Sequence, residues 1–71
     1  MASSICIQLG KRIRRLRRAR GWRQIDLAVH AEMSKTHISD LERGRREIGL
    51  RALQKIAIAL DVTPSELLKD C

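Results

Sequence analysis

The chain has 71 residues, enough for one small domain and too few for a second one of ordinary size. It carries 15 basic and 8 acidic side chains, which give a formal net charge of +7. No apolar run approaches the ~18–20 residues that a membrane span needs. The apolar stretch at residues 3–9 precedes the basic run instead of following it, unlike a signal peptide. We therefore expect a cytoplasmic protein with no membrane segment.

The residue types that support catalysis or metal binding occur without the spacing that those functions require. Cys6 and Cys71 lie near opposite ends of the chain, so we expect two reduced thiols and neither a disulfide nor a metal site. The sequence has no glycine-rich phosphate loop, no metal-ligand cluster and no nucleophile beside an evident base. It therefore predicts no enzyme activity and no cofactor.

The positive charge is concentrated in the first third of the chain. Residues 1–23 hold eight basic groups and no acid, whereas residues 24–71 hold seven basic and eight acidic groups. Such a field attracts a polyanion, although a charge run of this kind is also typical of a solvated helix face. Seven of the eight basic groups are arginines, which fork onto phosphate oxygens, and this favours nucleic acid as the partner.

The first predicted helix runs from about Ser4 to Arg20. Leu9, Ile13 and Leu16 recur at helical spacing and supply an apolar stripe. Gly21 follows at the position where a left-handed residue ends a helix.

The second predicted helix spans residues 24–30 and begins just after the single tryptophan. Trp22 and Leu27 occupy the two positions of a hydrophobic staple, so we interpret Trp22 as a packing residue and not as a platform for a base. Arg23 stands at the N-cap and offers no oxygen to the helix start. Asp26 compensates by placing a negative charge near the positive end of the helix.

The third predicted helix spans residues 34–43 and has two chemically different sides. Ser34 can cap its start, because a serine oxygen accepts a hydrogen bond from an early backbone N–H. Ile38, Leu41 and Glu42 recur on one side. The other side carries compact polar groups without aliphatic bulk, which suits the major groove of DNA. These groups are Lys35, Thr36, Ser39 and Asp40.

Two further helices are predicted after Gly44, which ends the third. The fourth runs from about Leu50 to Leu60, with a core stripe, and Asp61 is expected to take a left-handed conformation at its end. The core stripe consists of Leu50, Leu53, Ile56, Ala57 and Leu60. Threonine, proline, serine and glutamate at residues 63–66 form a strong start signal for a fifth helix, Pro64 to Leu68.

The apolar residues outside the core stripes are candidates for contact with a second copy of the chain. A chain this short buries a core worth only ~3–5 kcal/mol net, so dimerisation would add stability. One of the adjacent residues Leu67 and Leu68 is expected to close the core and the other to remain available. The predicted dimer contacts are Ile48, Ile58, Leu67 and Leu68.

Four strings in this sequence resemble the phage-repressor helix-turn-helix family, also described as Cro-type or XRE. They are LGKRIRRLR, GWRQIDLA, MSKTHISDLERGRR and LRALQKIAIALDVTPSELL, and they span about residues 9–68. ERGRREIGL followed by LQKIAIALDV is also similar to the controller proteins of restriction–modification systems. The resemblance implies an all-α, compact five-helix bundle over residues 1–71. It places the helix-turn-helix at about 24–43 and the dimer-contact region at about 48–71.

The resemblance also implies roles for residues around the third helix. Those facing base edges are Lys35, Thr36, Ser39 and Asp40. Those near the DNA backbone are Arg23, Gln24, Ser34, His37, Arg43, Arg45 and Arg46. Lysine can donate to guanine, a threonine methyl can touch the thymine methyl, and aspartate can accept from cytosine. Asp40 has the alternative role of orienting Lys35 or His37, and His37 is alternatively solvated.

One buried ion pair and two departures follow from the same resemblance. An arginine at the position of Arg17 pairs with the glutamate at the position of Glu42, which would fix the third helix against the first. Glu32 stands where glycine is common, so a left-handed backbone there would cost ~1 kcal/mol. Arg23 stands where serine or threonine is usual.

The implied function is a sequence-specific regulator of transcription that binds double-stranded DNA as a homodimer at an inverted repeat, with autoregulation as one mode of control. Contact with RNA polymerase is a further possibility, through Asp40, Glu42 or Glu47. Two alternatives remain at this point. The fold can serve as a protein-interaction module, such as an antitoxin or anti-repressor partner, or the arginine-rich first helix can bind RNA, which the lack of stacking aromatics disfavours.

Overall fold

The computed structural model describes residues 4–69 and residue 71, and this part of the chain forms five α-helices without strands. The helices are α1 (Ser4–Ala19), α2 (Gln24–His30), α3 (Lys35–Glu42), α4 (Leu50–Ala59) and α5 (Pro64–Leu68). The all-α prediction is confirmed, and each helix boundary lies within one residue of its expected place. None of the described helices is long and apolar enough to span a membrane. Residue 3 of the N-terminal apolar stretch and residue 70 of the expected dimer region lie outside the described residues.

The capping signals in the sequence operate at two helix starts. The Ser34 side-chain oxygen accepts a hydrogen bond from the backbone N–H of His37 at 3.1 Å. At α5, Thr63 Oγ1 accepts from the N–H of Glu66 at 3.0 Å, and Glu66 Oε1 accepts from the N–H of Thr63 at 3.1 Å. Each bond satisfies a backbone donor that has no partner inside the helix, so these caps set where α3 and α5 begin.

The core lies where α3 packs against α1 and α2 and where α4 and α5 close the remaining side. Its fully buried large side chains come from all five helices, so no helix covers its apolar face alone. They are Ile13, Leu27, Ile38, Ile56 and Leu67. Met33 and Leu16 are partly buried and pack against this cluster.

A glycine inside α1 allows the closest approach between two helices. A Cβ built on Gly10 would lie 2.4 Å from the carbonyl oxygen of Leu41 and 2.6 Å from that of Glu42. Only glycine fits at this point, because the atoms that a larger residue would meet belong to the backbone of α3. The end of α3 is thereby held directly against α1.

Two predicted roles are wrong. Leu50, expected in the core stripe of α4, is 84% exposed, because α4 begins at this residue and no preceding turn of the helix lies beside it. Leu67, included among the dimer contacts, is 0% exposed and belongs to the core, so a partner chain cannot reach it. Its neighbour Leu68 points outward and is 38% exposed.

Candidate nucleic-acid interface

The reading edge of α3, formed by Lys35, Thr36, Ser39 and Asp40, points away from the core. Lys35 and Thr36 are exposed, and Ser39 and Asp40 are half-buried. Ile38 is fully buried on the opposite side of the same helix. The structure therefore brings the four predicted base-reading residues onto one accessible edge, as helical spacing requires.

The side chain of Asp40 does not lie alone on this edge. Its Oδ2 is 4.0 Å from Nε of Arg46, which follows α3 in the loop before α4. The sequence offers Lys35 or His37 as alternative partners of Asp40, and the ion pair in the structure is with Arg46 instead. A carboxylate near DNA repels phosphates, and the arginine beside it offsets that charge.

The far end of α3 is fixed by an ion-pair network around Glu42. Arg17 Nε lies 2.7 Å from Glu42 Oε2, and Arg17 Nη2 lies 3.0 Å from Glu42 Oε1, so the pair that the resemblance implied is present and is bidentate. Both residues are buried. Arg17 also donates to the carbonyl oxygen of Trp22 at 2.8 Å. Arg14 adds a weaker contact to Glu42 Oε1 at 3.4 Å.

The network lowers the pKa of Glu42. Burial by itself would raise the pKa of this carboxyl, but the hydrogen bonds from Arg17, Gln24 and Arg14 outweigh burial, and the pKa lies below its ordinary value. Glu42 is therefore an anion near neutral pH. Loss of Arg17 would leave a buried charge without its main partner, which is the costly way to break such a pair. The burial of Glu42 also removes it from the acidic residues that an outside protein could touch.

Gln24 joins the interface to this network. It is half-buried at the start of α2, and its Nε2 donates to Glu42 Oε1 at 3.1 Å. An amide nitrogen carries two protons, so one donor of Gln24 remains for a phosphate oxygen. The same carboxylate thus orients a residue expected at the DNA backbone and holds the end of α3 in place.

Arg23 is held at the start of α2 by Asp26. The carboxylate accepts the backbone N–H of Arg23 at 2.7 Å and two guanidinium donors at 3.1 Å each. Hydrogen bonds from the Arg23 side chain and then from its backbone lower the pKa of Asp26. Asp26 therefore compensates for the missing N-cap oxygen by bonding directly to Arg23. The guanidinium remains exposed to solvent at the surface.

The remaining residues expected at the DNA backbone flank α3. Arg43, Arg45 and Arg46 are exposed in the segment that leaves the helix, and Ser34 is exposed at its start. His37 is half-buried on the first turn. Three exposed arginines therefore follow the reading edge in the segment that leaves α3.

The turn between α2 and α3 has the left-handed backbone that the resemblance implied. Glu32 has φ 55°, in the region that favours glycine. Met33 follows, and its backbone N–H donates to the carbonyl oxygen of Ala28 at 2.9 Å. The turn thus has the backbone conformation that the resemblance implied, with conformational strain at Glu32.

Trp22 packs within the protein. Its ring stacks on that of His30 with centroids 4.3 Å apart and planes 2° from parallel, and the Arg20 guanidinium carbon lies 4.7 Å from the ring centroid. The indole is half-buried against the core. These contacts support the interpretation of Trp22 as a packing residue.

Two residues that help to position the site were not identified from the sequence. Gly10 permits the contact between α1 and α3, and an isolated glycine inside a helical pattern is the signal that could have identified it. Arg12 donates to the carbonyl oxygens of Glu66 and Lys69 at 2.7 and 2.9 Å and so ties the end of α5 to α1. No sequence signal distinguishes Arg12 from its basic neighbours. Among the described residues, no group of His, Cys, Asp and Glu is arranged to hold a metal ion.

Comparison with known proteins gives consistent results. The family model described as helix-turn-helix matches residues 13–67. Control protein C.BamHI of Bacillus amyloliquefaciens is 36% identical over 69 residues, which cover 96% of this chain and 85% of that protein.

Two solved controller structures also match. The restriction–modification controller protein C.AhdI from Aeromonas hydrophila has a TM-score of 0.88 at 35% identity and covers 92% of this chain and 98% of its own. The C.Esp1396I tetramer in complex with its natural 35 base-pair operator has a TM-score of 0.84 at 28% identity, with coverages of 92% and 86%. Both the family match and the relatives agree with the resemblance found in the sequence, and the chain belongs to the helix-turn-helix family of DNA-binding transcription regulators.

Proposed function

We propose that this chain regulates transcription by binding one particular double-stranded DNA sequence as a homodimer in the cytoplasm. The observation that carries the proposal is the accessible polar edge of α3, held in place by the buried Arg17–Glu42 pair. A rigid helix that presents compact donors and acceptors fits a major groove, whose base edges differ for each base pair. Nothing in this mode of action requires a catalytic group or a cofactor.

Base reading falls to the four residues of the reading edge. Lys35 is suited to guanine O6 and N7, and the methyl group of Thr36 to a thymine methyl. Ser39 can donate or accept. If Arg46 moves to a phosphate, Asp40 can accept a hydrogen bond from cytosine N4. If Asp40 stays paired with Arg46, it can instead exclude bases that offer only acceptors. The choice between the two gives Asp40 a direct influence on specificity.

Backbone contacts set the register of the protein on the duplex and carry no sequence information themselves. The proposed contacts come from both ends of the helix-turn-helix. They are Arg23, Gln24, Ser34, His37, Arg43, Arg45 and Arg46. If about six phosphates are neutralised in the whole complex, affinity should fall about a thousandfold between roughly 50 and 200 mM salt.

The proposed dimer surface combines the outward stripe of α4 with the outer side of α5. Leu50 and Ile58 are 84% and 72% exposed and lie at positions i and i+8 of one helix face. Leu68 on α5 and the half-buried Ile48 line one surface pocket together with Leu50. An exposed apolar face of this kind is typical of an interface. The C.Esp1396I relative is a tetramer on its operator, which supports a repeated twofold arrangement.

A twofold dimer would read an inverted repeat with its half-sites about one helical turn, ~34 Å, apart. Control by protein concentration follows from this design, because the dimer forms and fills its site only when enough protein has accumulated. Autoregulation at its own promoter is one consequence. If the bound protein also contacts RNA polymerase, Glu47 is the exposed acidic candidate, since Glu42 is buried and Asp40 faces Arg46.

Selection of bound sites from a pool of random duplexes tests this function. We expect a symmetric consensus with two half-sites about one turn apart, and the double variant Lys35→Ala, Thr36→Ala should lose the consensus while retaining weak binding to any duplex. Recovery of no preferred duplex would overturn the proposal. Co-purification of a partner protein, with activity intact in the double variant, would instead support a protein-interaction module.

The dimer surface is tested separately by sedimentation equilibrium. Ile58→Lys places a charge in the proposed interface and should shift the protein toward monomers. Val29→Lys is the matched control, because Val29 is also an exposed aliphatic residue on a helix but lies outside the proposed surface. The proposed dimer surface would be contradicted if both variants dissociated into monomers to the same extent, or if neither variant dissociated.

A further inference from the structure

The basic groups of residues 11–23 divide into two sets in the structure. Five of them make specific contacts with other parts of the chain. Arg17 and Arg14 contact Glu42, Arg23 contacts Asp26, Arg12 donates to two carbonyl oxygens at the end of α5, and Arg20 donates to the carbonyl oxygen of Leu60. The other three are Lys11, Arg15 and Arg18. All three are exposed, and none forms a hydrogen bond or ion pair with a described residue.

These three residues, called here the basic stripe, lie on one face of α1. They stand at positions i, i+4 and i+7, which a helix places in one row, about 10 Å long at 1.5 Å per residue. The buried Leu9 and Ile13 occupy the other side of the helix. The stripe is therefore turned away from the core.

The charge of the basic stripe is not compensated locally. Like charges three and four residues apart destabilise a helix by ~0.2–0.5 kcal/mol per pair. Residues 1–23 contain no acid, and the nearby carboxylate of Glu42 is already bound by Arg17, Arg14 and Gln24. A row of this kind gains most from an external polyanion with closely spaced charges, such as the duplex backbone with one charge per ~1.7 Å of axis.

The basic stripe and the reading edge lie on different faces of the protein. The buried side of α3 meets α1 through Gly10 and Arg17. On α1, Lys11 is the neighbour of Gly10 and Arg18 the neighbour of Arg17, and each step turns a helix by 100°, so the basic stripe points away from the side that meets α3. We infer from this orientation that a duplex seated on α3 leaves the basic stripe open to solvent.

We propose that the basic stripe binds the sugar–phosphate backbone of a second DNA segment while α3 occupies the operator, so that the protein bridges two duplexes. The inference rests on the proposed function, which supplies the first duplex. Guanidinium groups fork onto phosphates without reading bases, so the second contact is independent of sequence. It is weak alone, and on long DNA it is strengthened by the high local concentration of neighbouring duplex.

A capture experiment tests this inference with the full-length protein. The selected operator duplex is immobilised and saturated with protein, and a labelled short duplex of scrambled sequence is then added. We expect the wild-type complex to retain the labelled duplex at low salt and to release it steeply as salt rises. Arg15→Gln with Arg18→Gln should reduce retention at least about tenfold, because each lost phosphate contact removes nearly one released counterion.

A charge-matched control separates this effect from a general loss of positive charge. Lys55→Gln with Lys69→Gln removes the same charge from α4 and from the residue after α5, and it should retain the labelled duplex as the wild type does. All three proteins should bind the operator duplex itself equally. Operator binding without capture, or equal capture by all three proteins, would overturn the bridging role and leave the proposed function intact. Failure of the wild type to select any operator would overturn both.

Discussion

The two ends of α3 show different solutions to positioning a side chain. Toward α1, Glu42 is buried, is bound by three side chains and lies beside the glycine contact at Gly10. On the reading edge, Lys35 and Thr36 are exposed, and their side chains make no bond to a described residue. The difference shows that the position of the exposed side chains is set by the buried contacts of the same helix. The helix is fixed by its buried side, so the exposed side can remain free for a partner.

Removal of Arg17 should have the largest effect on this arrangement. Arg17→Met leaves Glu42 as a buried charge without its bidentate partner, which should cost about 3–5 kcal/mol in the free energy of unfolding. That is comparable to the whole net stability of a domain this small, ~3–5 kcal/mol. Urea denaturation followed by circular dichroism measures the loss. Arg18→Met, on the exposed side of the same helix, is the control, and similar losses in both variants would contradict the special role of the pair.

Acid should act on the same pair more gradually. Because the pKa of Glu42 is lowered in the folded protein, its stabilisation is present above the unfolded value of about 4.3 and is lost as the pH falls through the lower native value. Glu42→Gln cannot ionise, so its stability should depend less on pH in this acidic window. Thermal unfolding measured across the window compares the two proteins, and parallel curves would show that the carboxylate is not responsible.

The glycine contact can be broken without a change in charge. Gly10→Ala should destabilise the protein by about 1–3 kcal/mol, because the new methyl group meets the carbonyl oxygens of Leu41 and Glu42 and the backbone has to move. A thermal melt measures the effect. Gly49→Ala is the control for the steric contact, since a Cβ there has no neighbour within 4 Å and its cost is limited to the N-cap preference for glycine over alanine. A stabilised Gly10→Ala protein would mean that helix propensity outweighs the contact.

A substitution in the turn before α3 should increase the stability of the protein. Glu32→Gly should stabilise the protein by about 1 kcal/mol, because glycine adopts the positive φ at this position without the strain of a Cβ. Glu32→Ala keeps that strain and should bring no gain. Chemical denaturation of the two variants separates relief of backbone strain from simple removal of the carboxylate.

The reading edge should show the smallest change in stability. Lys35→Ala with Thr36→Ala is expected to alter the free energy of unfolding by no more than about 0.5 kcal/mol, since both side chains are exposed. Discrimination between the selected duplex and a scrambled one should nevertheless fall by about 1–3 kcal/mol for each base pair that the two residues read. Competition binding measures this, and a large loss of stability would mean that the edge also supports the fold.

Much of the architecture was predictable because its signals are local. Ser34 and Thr63 cap the helices that they precede, and Gly21 and Gly44 take the left-handed conformation expected after α1 and α3. Such signals act over four residues or fewer, so they need no knowledge of the rest of the fold. The Arg17–Glu42 pair joins residues far apart in the chain, and it was expected from the family resemblance alone.

The site was less predictable where it depends on how the helices meet. Asp40 pairs with Arg46, a contact set by the path of the loop after α3. The outcome for Leu67 and Leu68 depends on the rotation of a short helix about its axis, which a sequence pattern of five residues does not determine. Gln24 was expected to anchor DNA, and its bond to Glu42 arises because α2 starts beside the end of α3.

The order of residues by itself determined five helices, their limits and the separation of polar from apolar sides, since hydrogen-bond caps and helical spacing act within a single segment. Tertiary structure alone decided which cations became internal contacts and which remained on the surface. Arg17 and Arg18 are neighbours of identical chemistry, yet one is buried against Glu42 and the other is exposed. A rotation of 100° between successive helical residues, combined with the position of α3, separates their roles.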